Sequence, residues 1–200
     1  MLTRITGLVV AIVAATLLPA QAGPGGPSSA SAPTAVAGSV DLTGKPANPF
    51  ELAAGKPLVL VFVRTDCPVS NRYAPTIQAL SHKYSQQVFV ALVYPDKTET
   101  PSEIEKHLHD YGYKIEALRD TQHDLVKLSK VEITPEAAVF NGTGELIYHG
   151  RIDNWYQDFG HTRSAPTTHE LDLAIQAALN GGHPAPASVS GVGCYISDLQ

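Results

Sequence analysis

The chain has 200 residues, of which 44% are hydrophobic and 16% are charged, and this composition suits one globular domain with a sizeable core and some additional segments. Its formal net charge of −5 and its lack of a basic tract exclude the usual electrostatic signature of a nucleic-acid-binding protein. The sequence has two cysteines, Cys67 and Cys194, which either share one site or act separately.

The first 22 residues have the pattern of a secretory signal peptide. Arg4 supplies a positive charge, residues 8–18 are almost entirely apolar, and residues 20–22 (Ala-Gln-Ala) have the small side chains that signal peptidase accepts. Because the apolar run is short for a bilayer span of roughly 20 residues, cleavage after Ala22 is favoured over an uncleaved membrane anchor. Both outcomes predict an extracytoplasmic domain, periplasmic or secreted, in which a disulfide can persist. Contact with a membrane is expected only without cleavage.

Composition divides the remaining chain into three parts. Residues 23–39 are rich in Gly, Pro, Ser and Ala, bury too little apolar surface to offset the entropy of ordering them, and therefore predict a flexible linker. Residues 40–180 have the alternating apolar patterns of a folded domain. Residues 181–200, which include Cys194, have neither helical nor strand periodicity and predict an irregular C-terminal tail.

The first half of the domain predicts a strand, a helix and a second strand. Residues 39–52 are punctuated by Gly and Pro and predict a lead-in edge strand or hairpin. The runs 58–63 and 88–94 are continuously apolar, as expected for strands buried on both faces. Between them, apolar residues three or four positions apart predict a helix over 71–84.

The second half of the domain predicts further helices and a hairpin. The segment Thr-Pro-Ser-Glu, from residue 100, has the N-cap and capping-box pattern of a helix start, and Gly112 ends that helix. Asn-Gly-Thr-Gly, residues 141–144, is typical of a β-hairpin turn. The other predicted elements are a short helix at 121–131, the two hairpin strands at 136–140 and 145–152, and an amphipathic helix at 168–182.

Cys67 stands between the first buried strand and the helix that follows it, in the segment Thr-Asp-Cys-Pro-Val-Ser-Asn. The amide N–H groups of the first helical turn and the helix dipole favour the thiolate at such a place, and the thiolate is the reactive form. Pro68 suits the first turn because it brings no competing N–H. The charge of Asp66 acts against the thiolate, and Arg64 and Arg72 are near enough in sequence to offset it. The alternative is a buried, inert cysteine of the core.

Four segments stand out between residues 40 and 198, namely FVRTDCPVSNRYAPTIQAL, VEITPEAAVF, GELIYHGRIDN and GVGCYI. Together they resemble bacterial secreted redoxin-domain proteins of the thioredoxin–peroxiredoxin superfamily, which have Asp-Cys-Pro at the active-site turn and Gly-Cys near the C-terminus. The resemblance implies a thioredoxin fold, an α/β fold with a central mixed sheet flanked by helices, and the predicted element order agrees with it. It also implies that Cys67 is the redox cysteine and that Pro135, which follows Thr134, is a cis-proline beside it.

The chain departs from this superfamily at positions that usually complete such a site. Thioredoxins have a second cysteine three residues after the first, where this chain has Ser70, and peroxiredoxins have a threonine in a register that Thr65 does not occupy. The position four after Cys67 holds Asn71, so the two-thiolate motif of copper-delivering relatives is absent too. A local resolving thiol is therefore missing, and Cys194 is the only candidate in the chain.

The sequence leaves three relations open between Cys67 and Cys194. They are a redox-active pair, a purely structural disulfide, or two independent cysteines. The tail from Gly181 to Cys194 extends to at most about 45 Å, which is comparable with the width of a domain of this size, so it can reach the active-site turn. The glycines beside Cys194 favour a mobile or closely packed backbone, and a redox-active pair is the favoured alternative.

These observations predict an extracytoplasmic thiol-disulfide oxidoreductase that requires no bound cofactor and no metal. Its expected partners are protein or small-molecule thiols and disulfides and an external reductant, and not nucleic acid. Alternatives are an atypical peroxiredoxin-like antioxidant, a copper- or haem-handling protein of the same fold, and a non-catalytic interaction module with a structural disulfide. The predicted site residues are the catalytic Cys67 and Cys194 and the supporting Asp66, Pro68, Ser70, Thr134 and Pro135.

Two other groups of residues have their own expectations. His107 and His109 diverge on their predicted helix, so they are expected at the surface rather than on one metal ion. The polar and aromatic loop at 153–167 is expected either to form a substrate or partner surface or to be an ordered loop that packs on its own domain.

Overall fold

A computed structural model of the protein describes residues 38–197. The predicted signal peptide at 1–22 and the predicted linker up to residue 37 lie outside this range. Between residues 38 and 197, no helix has both the length and the apolar character that crossing a bilayer requires. The helices are α1 (Pro49–Ala53), α2 (Pro68–Tyr84), α3 (Pro101–Asp110), α4 (Asp124–Ser129) and α5 (Glu170–Leu179). The strands are β1 (Leu58–Phe62), β2 (Phe89–Tyr94), β3 (Glu116–Arg119), β4 (Ile133–Thr134), β5 (Glu136–Phe140), β6 (Leu146–Gly150), β7 (Tyr156–Asp158), β8 (His161–Thr162), β9 (Ser188–Val189) and β10 (Cys194–Tyr195).

The largest sheet has the strand order β3-β2-β1-β5-β6-β9. Strands β1, β2 and β3 are parallel, whereas β5 is antiparallel to both β1 and β6. The parallel β1–β2 pair follows from the β1-α2-β2 crossover, and the antiparallel β5–β6 pair follows from the tight turn at 141–144. The predicted α/β architecture, a central mixed sheet flanked by helices, is confirmed.

Strand β1 is buried along its whole length, as its apolar sequence predicts. Val59 and Val61 belong to an apolar cluster that includes Ile77 of α2 and Ile175 of α5. Leu60 belongs to a second cluster, which includes residues of α1 and α4. Because alternate residues of a strand point to opposite faces, each face of the sheet has its own apolar cover. These two layers fix the end of β1 and therefore the start of α2.

Two local sequence signals are confirmed in detail. The Thr100 hydroxyl oxygen accepts the Glu103 N–H at 3.3 Å, and the Glu103 carboxylate accepts the Thr100 N–H at 2.8 Å, which together form the predicted capping box of α3. The turn between β5 and β6 has Gly144 at a φ of 84°, a conformation that favours glycine.

The structure differs from the prediction at both ends of the domain. Residues 49–53 form helix α1 rather than a strand, because the Asn48 side chain caps them by accepting the Phe50 N–H at 3.0 Å. The tail contributes β9 beside β6 and β10 beside β4, although no periodicity indicated a strand there. Strand β3, at Glu116–Arg119, was not predicted either.

Candidate active site

Cys67 is the N-cap residue of α2, at the junction between β1 and this helix. Its backbone is extended, with φ −82° and ψ 110°, and its Sγ accepts the Ser70 N–H at 3.5 Å. Pro68 is the first residue of the helix, as predicted. The sulfur thus faces the amides of the first turn and the positive end of the helix dipole, and both favour a thiolate.

A second part of the chain packs against this sulfur. Cys67 has no exposed surface, and its thiol donates a hydrogen bond to the Thr134 carbonyl oxygen at 3.2 Å. The peptide bond between Thr134 and Pro135 is cis. The structure therefore brings Cys67, Thr134 and Pro135 together.

The C-terminal tail brings Cys194 to the same place. Strand β10 is antiparallel to β4, with Cys194 opposite Thr134. The Thr134 hydroxyl donates to the Cys194 carbonyl oxygen at 3.3 Å. Cys194 packs against the apolar cluster that contains Cys67, the two thiols are close enough to shift one another's pKa, and both are free. The two cysteines therefore share one site, although 127 positions (194 − 67) separate them in the sequence.

The two thiols have pKa values that shift in opposite directions. Burial by itself raises the pKa of Cys67, but hydrogen bonds from the Cys194 thiol and from the Ser70 hydroxyl and amide outweigh it, so the pKa of Cys67 is lowered. Burial raises the pKa of Cys194, and the hydrogen bond with Cys67 and the negative charge of its thiolate raise it further, to about 12. Within the pair, Cys67 is the sulfur that ionises and Cys194 the one that keeps its proton.

Ser70 occupies the position of the missing second cysteine. Its hydroxyl is buried, makes no well-aligned hydrogen bond within residues 38–197, and lies close enough to Cys67 to lower the pKa of that thiol. A buried hydroxyl without another partner is available to donate to a thiolate. Ser70 therefore favours ionisation of Cys67 but brings no second thiol.

Asp66 lies at the rim of this site, where its side chain is 69% exposed. The Arg64 guanidinium pairs with Asp66 and with Asp96, both at 3.0 Å, so Arg64 offsets the charge of Asp66 as predicted. Arg72 is exposed. The Asp66 charge contributes slightly to the raised pKa of Cys194 and is not among the main influences on the pKa of Cys67.

The expectation that His107 lies at the surface was wrong. His107 is 4% exposed, and its ring nitrogens bond the Tyr94 hydroxyl at 2.9 Å and the Asn71 side-chain oxygen at 2.8 Å. Asn71 in turn donates to the Thr65 carbonyl oxygen at 3.0 Å, so a chain of hydrogen bonds supports the turn that carries Cys67. His107 follows buried Ile104 by three positions, a helical spacing that could have indicated its burial.

We expect His107 to make the stability of the protein sensitive to acid. Burial lowers the pKa of His107 below its ordinary value of 6.5, although the charge of Asp110 acts in the opposite direction. The unfolded chain therefore binds a proton at a higher pH than the folded one, and the free energy of unfolding falls as pH drops below about 6.5. Urea unfolding at about pH 7 and about pH 5 measures this loss.

Two variants isolate the contribution of His107. His107→Gln has no titratable group there and is expected to lose less free energy of unfolding between the two pH values than the original protein. His109→Gln is the matched control, because the His109 side chain is 90% exposed. Equal losses in the original protein and in His107→Gln would contradict this explanation.

The loop at 153–167 is held by its own hydrogen bonds and by α2. The Asp153 carboxylate accepts the Tyr73 hydroxyl at 2.6 Å and the Trp155 N–H at 2.8 Å. The Asn154 side chain accepts the Thr167 N–H at 2.7 Å. These contacts favour an ordered loop that packs on its own domain.

Within residues 38–197, no set of three or more His, Cys, Asp or Glu side chains is arranged to hold a metal ion.

Several solved structures have a similar fold. A hypothetical protein from Sinorhizobium meliloti is 21% identical, with a TM-score of 0.65 over 78% of this chain and 87% of the other. An uncharacterized conserved protein from Geobacillus kaustophilus is 21% identical, with a TM-score of 0.60 over 71% and 77%. A thioredoxin-like protein solved in its oxidized form is 17% identical, with a TM-score of 0.53 over 76% and 93%. At these identities the likeness establishes the fold alone, and it confirms the thioredoxin fold.

Among curated proteins, none matches the chain. The model of the AhpC/TSA family matches residues 31–149, more than half of the sequence. The matched range includes Cys67 and Pro135 and ends before Cys194. The chain therefore belongs to the AhpC/TSA family, within the thioredoxin–peroxiredoxin superfamily.

Proposed function

We propose that the protein is an extracytoplasmic thiol-disulfide oxidoreductase in which Cys67 is the nucleophile and Cys194 is the resolving thiol. One observation carries the proposal: the two thiols meet at the start of α2, where the pKa of Cys67 is lowered and the pKa of Cys194 is raised to about 12. Such a pair supplies both a thiolate that attacks and a second thiol that completes an internal disulfide. The predicted signal peptide supports a location outside the cytoplasm.

The reaction that this arrangement supports has two exchange steps. The Cys67 thiolate attacks one sulfur of a partner disulfide, forms a mixed disulfide and releases the other partner sulfur as a thiolate. Cys194 then loses its proton, attacks the Cys67 sulfur and releases the second partner sulfur. The partner gains two electrons, and the protein is left with a Cys67–Cys194 disulfide. Two external thiols restore the dithiol form, and no bound cofactor takes part.

The supporting residues have distinct roles in this proposal. Pro68 and Ser70 shape the first turn of α2, and the Ser70 amide and hydroxyl stabilise the thiolate. Thr134 and Pro135 hold a backbone beside the sulfur, where they position the chain of a thiol or disulfide partner. Asp66 lies at the exposed rim, where it meets that partner first.

A redox titration tests the proposal. The protein is equilibrated in glutathione buffers of increasing oxidising strength, and the fraction with a Cys67–Cys194 disulfide is measured by thiol labelling and mass spectrometry. We expect a reversible transition with a reduction potential above about −300 mV, whereas structural disulfides of secreted proteins lie below that value. A bridge that resists reduction beyond this potential would instead favour a structural disulfide. Cys194→Ser, which cannot form the bridge, is the control.

A peroxidase activity is the second candidate, because Cys67 has no exposed surface and a small oxidant reaches such a sulfur more easily than a protein does. The Cys67 thiolate would attack a peroxide oxygen to give a sulfenic acid and a hydroxide ion, which takes a proton from solvent to become water, and the Cys194 thiol would then form the disulfide with loss of a second water. Peroxiredoxins have a threonine near this cysteine. In this chain the nearest preceding threonine is Thr65, whose N–H donates to the Glu99 carboxylate at 2.6 Å. Stopped-flow measurement of hydrogen peroxide consumption decides, since oxidation no faster than that of a free thiol would exclude this candidate.

A further inference from the structure

Residues 190–196, which we call the cover segment, lie flush against the backbone of residues 132–136. A Cβ atom at Gly193 would stand 2.0 Å from the Thr134 carbonyl oxygen, so only glycine permits this approach. Val192 and Cys194 pack against the apolar cluster that contains Cys67. The cover segment thus lies over a sulfur that has no exposed surface.

The side chain of Glu136 holds the cover segment from inside the domain. Glu136 is 5% exposed, its Oε1 accepts the Gly191 N–H at 2.8 Å, and its Oε2 accepts the Glu132 N–H at 3.1 Å. Each carboxylate oxygen of Glu136 therefore accepts a hydrogen bond from a backbone amide. A carboxylate can accept at both oxygens because neither oxygen carries a proton. A glutamine side chain has one acceptor and one donor group, so it would leave one of the two amides facing an N–H₂ group.

A second anchor holds the other end of the cover segment to the same backbone. The Ile196 N–H donates to the Glu132 carbonyl oxygen at 2.9 Å, and the Ile196 side chain is 5% exposed. Cys194 lies between the two anchors, Gly191 and Ile196. The Glu136 carboxylate connects the first anchor to Glu132, on which the second anchor is fixed. Glu136 therefore holds Cys194 over Cys67 together with the pairing of β10 with β4 and the Thr134 hydroxyl.

We propose that Glu136 is a positioning residue that keeps the cover segment closed, and that its hold sets how often Cys67 becomes accessible to a partner. Glu136 touches neither sulfur and acts through Gly191 and Glu132. The catalytic consequence rests on the proposed function, because a partner disulfide reaches Cys67 only after the cover segment moves aside. Closure then returns Cys194 to Cys67 for the second exchange step.

Alkylation of Cys67 tests this assignment. In a Cys194→Ser background Cys67 is the only thiol, and iodoacetamide reacts with it only when the cover segment is open. We expect the added substitution Glu136→Gln to accelerate alkylation about tenfold, because the loss of one buried hydrogen bond weakens the closed state. Rates are compared above the measured pKa of Cys67 in each variant, so that the thiolate fraction is the same.

Two controls make the result specific. Glu105→Gln in the same background removes the same charge from an exposed position on α3 and is expected to leave the rate unchanged. Alkylation of the denatured variants is expected to be equal, and thermal unfolding shows which variants are folded. If Glu136→Gln does not fold, Glu136→Asp has the same expectation, because its shorter side chain cannot reach both amides.

Equal alkylation rates in the folded Glu136 and Glu105 variants would overturn the positioning role of Glu136. The proposed function is judged separately, by reversible formation of the Cys67–Cys194 disulfide in the original protein. A faster alkylation without a reversible disulfide would leave Glu136 as the residue that closes the segment and would remove its catalytic consequence.

Discussion

Replacement of Cys67 by serine is expected to lower the rate of thiol-disulfide exchange by a factor on the order of a thousand or more. A serine hydroxyl does not ionise near neutral pH, and it cannot form a disulfide with Cys194, so both exchange steps are lost. The rate is measured as reduction of glutathione disulfide by the dithiol form of the protein, which is reduced beforehand and freed of the reductant.

The loss of exchange activity in Cys67→Ser identifies the nucleophile only if this variant keeps its fold. Serine is nearly isosteric with cysteine and caps helices well, so we expect α2 to begin at the same residue. Circular dichroism and urea unfolding check this point. A folded Cys67→Ser variant that kept more than a tenth of the original rate would contradict the assignment of Cys67 as the nucleophile.

Replacement of Cys194 by alanine is expected to have the second largest effect, and to act on two observables. The pKa of Cys67 is expected to rise, because burial still opposes its thiolate while the hydrogen bond from Cys194 is gone. The internal disulfide cannot form, so a mixed disulfide between Cys67 and its partner is expected to accumulate. Ultraviolet absorbance of the thiolate against pH measures the first effect, and mass spectrometry of the trapped adduct measures the second.

The sign of the pH dependence follows from the thiolate being the nucleophile. The rate of alkylation of Cys67 rises as pH increases through its pKa, and in Cys194→Ala this rise is displaced to higher pH. Cys194→Ser is the matched control, since its hydroxyl can still donate to the Cys67 thiolate and the displacement should be smaller. A displacement to lower pH in Cys194→Ala would contradict the conclusion that Cys194 lowers the pKa of Cys67.

The part of the site nearest to Cys67 in sequence was predictable because local chemistry determines it. A buried apolar strand followed by Cys67 and Pro68 forms a strand-to-helix junction, and the N-cap position of Cys67 follows from it. The capping box of α3 and the hairpin turn before β6 were predictable for the same reason, since their hydrogen bonds join residues only a few positions apart.

The position of Cys194 was not predictable, because it depends on contacts between residues far apart in the chain. Strand β10 has two residues, too few for any periodicity, and its pairing with β4 depends on the close approach of Gly193 to Thr134. The hold of Glu136 on Gly191 spans 55 positions, and no local pattern marks it. Sequence established that the tail can reach Cys67 and left open whether it does.

The burial of polar side chains was not predictable from the sequence either. His107 was expected at the surface because it diverges from His109 on the helix and cannot share a metal ion with it, but its two ring nitrogens find partners in Tyr94 and Asn71 and so tolerate burial. Such partners become visible only when α2, β2 and α3 are assembled. The support that this chain of hydrogen bonds gives to the turn before Cys67 was therefore found in the structure alone.

The most direct measurement for the central claim is a thiol count on the folded protein after mild oxidation, followed by peptide mapping. We expect no free thiol and a single cross-linked peptide that joins Cys67 to Cys194, and we expect a dithiol reductant to restore both thiols. Two free thiols in the folded, oxidised protein, or a bridge between separate chains only, would contradict the claim that these two sulfurs form one redox site.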